Sequence, residues 1–145
     1  MAFEDSITVL NELLAIHYRS LPMYLTLASP WKHRGDEKAT ELLKDVVEDQ
    51  QETCRKVAEL VVQRGAVVET GEFPTHFTEL HFLSLDFMLQ ELVKTQRDDL
   101  TDIERCAQRL WNDPPAEAIA REAVGAARGH LQSLEEIVAE TTKVG

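Results

Sequence analysis

Residues 65–74, GAVVETGEFP, separate two long segments in which apolar residues recur at helical spacing. Two glycines and a proline punctuate this stretch, and at roughly 3.3 Å per residue it can run about 30 Å along a bundle. The helices on either side of it can therefore be parallel. This connection predicts two helix pairs joined by one long crossover.

Upstream of the crossover the pattern predicts helices A and B, an antiparallel pair because only about six residues connect them. Helix A is expected from Asp5, as N-cap, to residue 29, with a kink at Pro22. Helix B is expected to open at Asp36 and close at residue 64, where Gly65 supplies a left-handed cap. The inward-facing tracks are Leu10, Leu14, His17, Leu21 and Tyr24 in helix A, and Leu43, Val46 or Val47, Gln50, Thr53 or Cys54, Val57 and Val61 in helix B.

Downstream of the crossover the pattern predicts helices C and D, a second antiparallel pair. Helix C is expected to begin near Thr75 or Thr78 and to end near Trp111, and helix D follows the cap Asp113 and two prolines. The tracks are Leu85, Leu89, Leu92, Gln96, Leu100, Ile103 and Leu110 in helix C, and Ile119, Ala123, Ala127, His130, Leu134 and Ile137 in helix D. Residues 1–145 therefore read as one all-α domain, a four-helix bundle.

Composition narrows the classes of partner. Fifteen basic against twenty-six acidic residues give a formal net charge of -11, which disfavours binding to nucleic acid or anionic membranes. The apolar runs are too short for a membrane span and residues 1–20 do not resemble a leader, so a cytoplasmic location is expected. Cys54 and Cys106 fall on apolar tracks of different helices, which predicts buried free thiols; a redox pair is the alternative.

Several residues of this pattern resemble bacterioferritin and its relatives. They are Leu10, Asn11, Glu12, Leu14, Tyr24 and Ala28 in helix A, Gly65 after helix B, and Gly129 with His130 in helix D. The resemblance covers most of the chain and implies a ferritin-like four-helix bundle, with pairs A-B and C-D joined by the long B-C crossover. It also implies a di-iron site with a Glu on each of two helices and a Glu-x-x-His pair on each of the others.

The chain departs from the family at those ligand positions. His17 stands at the glutamate position of helix A. The pair in helix B falls on Gln50 and Thr53, or on Asp49 and Glu52 if the register shifts by one. The remaining positions fall on Leu92, Val93 or Gln96 in helix C and on Ala127 with His130 in helix D. A standard di-iron ferroxidase centre is therefore not expected.

Two interpretations of these positions follow. The first is a central polar layer in which neutral donors and acceptors satisfy one another or hold a water molecule: His17, Gln50, Thr53, Gln96 and His130. The second is a single Fe, Zn or Cu ion bound by His17 and His130, with a carboxylate from Glu48, Asp49 or Glu52. The first predicts a non-catalytic binding, structural or regulatory protein, and the second a metal-binding oxidase or metal carrier.

Other chemistry-bearing residues are expected at the surface. The histidines outside the tracks are His33, His76 and His81. An acidic cluster in helix C is interpreted as a solvated face rather than a cation site, because three of its four residues cannot point inward with Leu100 and Ile103: Asp98, Asp99, Asp102 and Glu104. The aromatic residues near helix ends and the crossover either cap the bundle or form the interface of a homodimer: Trp31, Phe73, Phe77, Phe82 and Phe87. A large hollow cation store is the third possible function, which gel filtration would test.

Overall fold

The computed structural model describes residues 2–28, 37–75, 77 and 85–144. These ranges contain helices and connecting segments but no strand: α1 Ala2–Tyr18, α2 Leu21–Ala28, α3 Glu37–Gln63, α4 Leu85–Arg109 and α5 Pro114–Val144. The predicted all-α bundle is confirmed, with helix A formed by α1 and α2 and helices B, C and D by α3, α4 and α5. Among the described residues no helix is both long and apolar enough to cross a membrane.

Helix A is divided in two rather than kinked. The ring of Pro22 would clash with the carbonyl of Tyr18, four residues earlier, which explains why α1 ends at that residue. Ser20 then caps α2, because its Oγ accepts a hydrogen bond from the backbone N–H of Met23 at 3.3 Å. The predicted N-cap at Asp5 is wrong, since α1 begins at Ala2; an acidic residue is favourable in a first turn as well as at a cap.

The predicted cap at Gly65 is confirmed, with a φ of 75°. Its N–H bonds to the carbonyl of Val62 at 2.9 Å, and the next N–H reaches the carbonyl of Val61 at 3.1 Å, which together form a Schellman motif. The crossover then lies against α1. The side chain of Asn11 holds it by donating to the carbonyl of Val67 at 3.0 Å and accepting from the N–H of Glu69 at 2.9 Å.

The predicted start of helix C at Thr75 is wrong. A short turn follows Pro74, whose carbonyl accepts from the N–H of Phe77 at 3.1 Å, and among the described residues α4 begins at Leu85. A proline and nearby threonines mark a turn as readily as a helix start. Thr78 lies outside the described residues, as do the predicted surface histidines and the cap Asp36: His33, His76 and His81.

The four predicted tracks pack into two apolar clusters, one toward each end of the bundle. The first contains Leu10, Leu14, Val57, Val61 and Ile103, and the second contains Leu21, Leu43, Leu89, Leu92 and Leu134. Cys106 is buried in the first cluster and Cys54 is partly buried against it, both as free thiols. Burial raises the pKa of each thiol to about 11, which keeps both cysteines protonated and unreactive near neutrality.

Two of the aromatic residues that were predicted either to cap the bundle or to form a dimer interface pack within the chain. Phe77 is buried and Phe73 partly buried, and both rings contact Tyr24, with centroids 5.5 and 5.4 Å away. They cap the bundle, as one of the two interpretations held. Phe87 is exposed. Trp31 and Phe82 lie outside the described residues.

At the other end of the bundle, Asp113 joins two helices. It caps α5 as predicted, and its carboxylate accepts two bonds from Arg64, at 2.6 and 2.8 Å, just beyond the end of α3. The Arg64 guanidinium, with help from Ser6 and the N–H of Ala116, lowers the pKa of the Asp113 carboxyl to about 2 despite burial. This pair therefore fixes the end of α3 to the start of α5.

Candidate functional site

A small cavity lies between the two apolar clusters. All five residues of the predicted polar layer line it: His17 from α1, Gln50 and Thr53 from α3, Gln96 from α4, and His130 from α5. The space open to the centre of a water molecule is about 10 Å³, which is room for one water. Asp49 and Asp99 also line the cavity, and the rest of its wall is apolar.

His17 is held as a neutral imidazole. Its Nδ1 lies 2.8 Å from the carbonyl oxygen of Leu13, and because a carbonyl only accepts, Nδ1 carries the proton. Burial lowers the pKa of His17, its bond to the Leu13 carbonyl partly opposes this, and the neighbouring His130 lowers the pKa further. His17 therefore brings no positive charge into the layer near neutrality, and Nε2 carries a lone pair.

Gln50 is bonded to a residue that the sequence analysis did not assign to the site. Ser20 Oγ, in the break between α1 and α2, donates to Gln50 Oε1 at 2.7 Å while accepting from the N–H of Met23. Both side chains are buried. The break in helix A thus supplies a hydroxyl to the layer. A signal was available, since Ser is a preferred N-cap and stands two residues before Pro22.

His130 makes the one close charged contact of the layer. Its Nε2 lies 2.9 Å from Oδ2 of Asp49, while the side chain of Asp49 is 59% exposed and that of His130 only 14%. The distance suits an ion pair, but the angles do not meet those of a hydrogen bond, and the buried Nε2 has no hydrogen-bond partner among the described residues.

The other two candidate carboxylates do not line the cavity. Glu48 is exposed on α3, and Glu52 forms an exposed ion pair with Arg55 at 2.5 Å. Arg55 lowers the pKa of Glu52 chiefly through this hydrogen bond. Successive residues of a helix point about 100° apart, so an inward Gln50 turns Glu48 and Glu52 away. Of the three candidates, the structure places Asp49 alone beside the histidines.

Of the four acidic residues interpreted as a solvated face, Asp99 is the one that lines the cavity. It is partly buried, lines the cavity, and accepts a long bond of 3.5 Å from Gln96 Nε2. Burial raises the pKa of the Asp99 carboxyl to about 7, and repulsion from Asp102 and Asp98 adds to the shift, while Arg19 opposes it. The missed signal was the spacing, because residues 96 and 99 share one side of a helix.

The five predicted residues do not bond to one another in the described part of the chain. Their polar contacts go to Leu13, Ser20, Asp49 and Asp99 instead, and the Thr53 hydroxyl donates to the carbonyl of Asp49 at 3.2 Å. Within the described ranges, no three His, Cys, Asp or Glu side chains converge closely enough to hold a metal ion.

Comparison with known proteins gave one match. The family model for the ferritin-like domain matches residues 7–144, which is nearly the whole chain and includes every residue that lines the central cavity. Searches of curated proteins and of solved structures found no significant match.

Proposed function

We propose that this chain, which belongs to the ferritin-like family, lacks a standard di-iron ferroxidase centre and acts as a non-catalytic binding, structural or regulatory homodimer. The observation that carries the proposal is the set of side chains around the central cavity. Imidazole, amide and hydroxyl groups line it. His17, Gln50, Thr53 and Gln96 each form a hydrogen bond within the chain, and His130 Nε2 lies 2.9 Å from Asp49 Oδ2.

These donors do not suit a pair of bridged iron ions. Two adjacent cations in a buried site need several inward carboxylates to offset their charge and to bridge them. The cavity has two carboxyl groups, and Asp49 is largely exposed beside His130, while the raised pKa of Asp99 leaves that group only partly ionised near neutrality. The negative charge available is therefore too small for a di-iron centre.

Ferrous iron oxidation tests this proposal. When the purified protein is mixed with ferrous iron in air, the iron is expected to oxidise no faster than in buffer alone. A ferritin that contains the di-iron centre is the positive control. Rapid oxidation, or two iron ions per chain after loading, would refute the proposal.

Elemental analysis of protein purified without added metal tests the single-metal alternative. We expect far less than one equivalent of iron, zinc or copper per chain. About one equivalent, lost in His17→Ala and His130→Ala but kept in the surface variant Glu52→Gln, would instead favour a metal-binding oxidase or carrier. Glu52 is a suitable control because it is exposed and paired with Arg55.

Exposed apolar side chains at one end of the bundle support the homodimer. Trp111 is 73% exposed and Val62 63% exposed, and both lie near the Arg64–Asp113 pair. Burying such groups is favourable, by roughly 25 cal/mol per Å². Light scattering should give twice the mass of one chain. Trp111→Glu should yield monomers, whereas Trp111→Phe should stay dimeric; a wild-type monomer at micromolar concentration would refute this part of the proposal.

A further inference from the structure

The central cavity lies next to an open groove on the surface. The groove has a volume of about 460 Å³ and runs between the end of α1, the start of α2 and one side of α4. Ile16 and Asp99 line both the cavity and the groove, and within the described part of the chain no other residue lines both. These two side chains therefore form the wall between the polar layer and the solvent in the groove.

Charged and titratable groups line the cavity or the groove from every helix around Asp99. They are His17 and Arg19 from α1 and its end, Asp49 from α3, His130 from α5, and Glu91, Lys94, Asp98 and Asp102 from α4 itself. Arg19 attracts the carboxylate, and Asp98 and Asp102 repel it. Among the described residues no cationic nitrogen lies within the 4.0 Å of an ion pair with Asp99.

The bonding of Asp99 suits the uncharged acid better than the carboxylate. Its one hydrogen bond to another described side chain, from Gln96, is long at 3.5 Å. A partly buried carboxylate without a close cation or several short hydrogen bonds is unfavourable, and water is the ligand that can supply what is missing. Asp99 can avoid this cost in two ways. It can take up a proton and lose its charge, or it can accept hydrogen bonds from water that enters from the groove.

We propose that Asp99 is a proton-operated latch, which keeps the polar layer closed behind Ile16 when protonated and admits water from the groove when ionised. The burial that raises the pKa of Asp99 to about 7 places this change near neutrality. The layer is then dry and closed on the acid side and hydrated on the alkaline side. This gives the central layer a regulatory input that does not depend on whether the protein binds metal or forms a dimer.

Hydrogen-deuterium exchange at the C2 position of His17, followed by mass spectrometry, is sensitive to water access to the layer. Wild type is compared with Asp99→Asn, which keeps the shape of the side chain but cannot ionise. At about pH 8 the exchange should be about tenfold faster in wild type, and at about pH 5.5 the two should agree within about twofold. Comparing variants at one pH removes the intrinsic pH dependence of the exchange.

Two further variants show whether the effect belongs to the wall. Asp98→Asn removes the same charge from an exposed neighbour and should exchange like wild type at both pH values. Ile16→Ala should open the wall without titration, so that at about pH 5.5 its exchange should be about tenfold faster than that of wild type at the same pH. Helical circular dichroism at each pH establishes that every variant is folded.

The inference is overturned if wild type and Asp99→Asn exchange equally at about pH 8, or if Asp98→Asn protects His17 as well as Asp99→Asn does. The latter would assign the effect to general repulsion along α4. Iron oxidation is measured separately. A protein that oxidised iron but showed the latch would refute the proposed function alone, and one that did neither would refute the latch alone.

Discussion

Two aspartates of this bundle have pKa values that are shifted in opposite directions. Asp113, at one end, is buried against the guanidinium of Arg64, and its pKa falls to about 2. Asp99, at the level of the central layer, has no cation within ion-pair distance among the described residues, and its pKa rises to about 7. Burial alone raises the pKa of any carboxyl, so the partner decides the sign of the shift.

The end of the bundle that contains Asp113 and the central layer that contains Asp99 have different roles. The Arg64–Asp113 pair is charged throughout the neutral range and joins α3 to α5. The central layer holds a neutral His17, amides and an acid that titrates near neutrality. We therefore expect the end of the bundle to dominate stability and the central layer to dominate the response to pH.

The largest expected effect is the loss of the end pair. Arg64→Ala leaves Asp113 buried without its cation and should lower the free energy of unfolding by about 3 kcal/mol. Urea denaturation measures this. Arg97→Ala, which removes an exposed pair with Glu135, is the matched control and should cost at most about 1 kcal/mol. Equal losses in the two variants would contradict the assignment.

The same variant should change acid stability. Because the pKa of Asp113 is depressed in the folded state, its contribution is present above the ordinary pKa of about 3.8 and is lost as the pH falls through about 2. Wild type should therefore lose stability in this window more steeply than Arg64→Ala. The measurement is the melting temperature of each protein as a function of pH. The same decrease in both proteins between about pH 4 and pH 2 would contradict this prediction.

Breaking the neutral pair in the central layer should have an intermediate effect. Ser20→Ala removes the cap of α2 and leaves the buried Oε1 of Gln50 without its donor, which should cost about 2 kcal/mol. Thr101→Ala, which deletes an exposed hydroxyl bonded to its own helix, should change stability by less than about 0.5 kcal/mol. A Ser20→Ala protein as stable as the control would show that Ser20 does not hold the layer.

The smallest effect, opposite in sign, is expected at Asp99. Its folded pKa is raised, so the folded protein binds the extra proton between the ordinary pKa of 3.8 and about 7, and stability falls as the pH rises through this window. Asp99→Asn should therefore stabilise the protein at about pH 8 relative to wild type, by on the order of 1 kcal/mol, with little difference at about pH 4. A gain that is the same at both pH values would contradict the raised pKa.

Much of the fold followed from local signals in the sequence. Gly65 ends α3 because a left-handed residue is needed there, and Asp113 with two prolines begins α5. The start of α4 did not follow, because Thr75 and Pro74 suit a turn as well as a cap. Pro22 predicted a disturbance in helix A, but the complete break, with Ser20 as a new cap, required the packed structure.

The candidate site was predictable only in part. Five polar residues on apolar tracks were visible from periodicity, and the structure brings all five to one cavity. Their bonding partners were not visible, because Ser20 reaches Gln50 across thirty residues of sequence and Asp99 sits beside exposed acids on its own helix. Hydrogen bonds between helices depend on how each helix is rotated about its axis and on how deep each side chain lies in the bundle. The repeat of apolar residues defines that rotation only to within about one residue.

The sequence by itself determined that this chain forms an all-α ferritin-like bundle and that polar side chains interrupt its apolar tracks at one level. Periodicity and the chemistry of each side chain are local properties, so both can be read from the amino-acid sequence alone. Only the tertiary structure decided which carboxyl was paired and which was not. That depends on distances between helices and on exclusion of water, which set the charge of Asp99 and Asp113 in opposite directions.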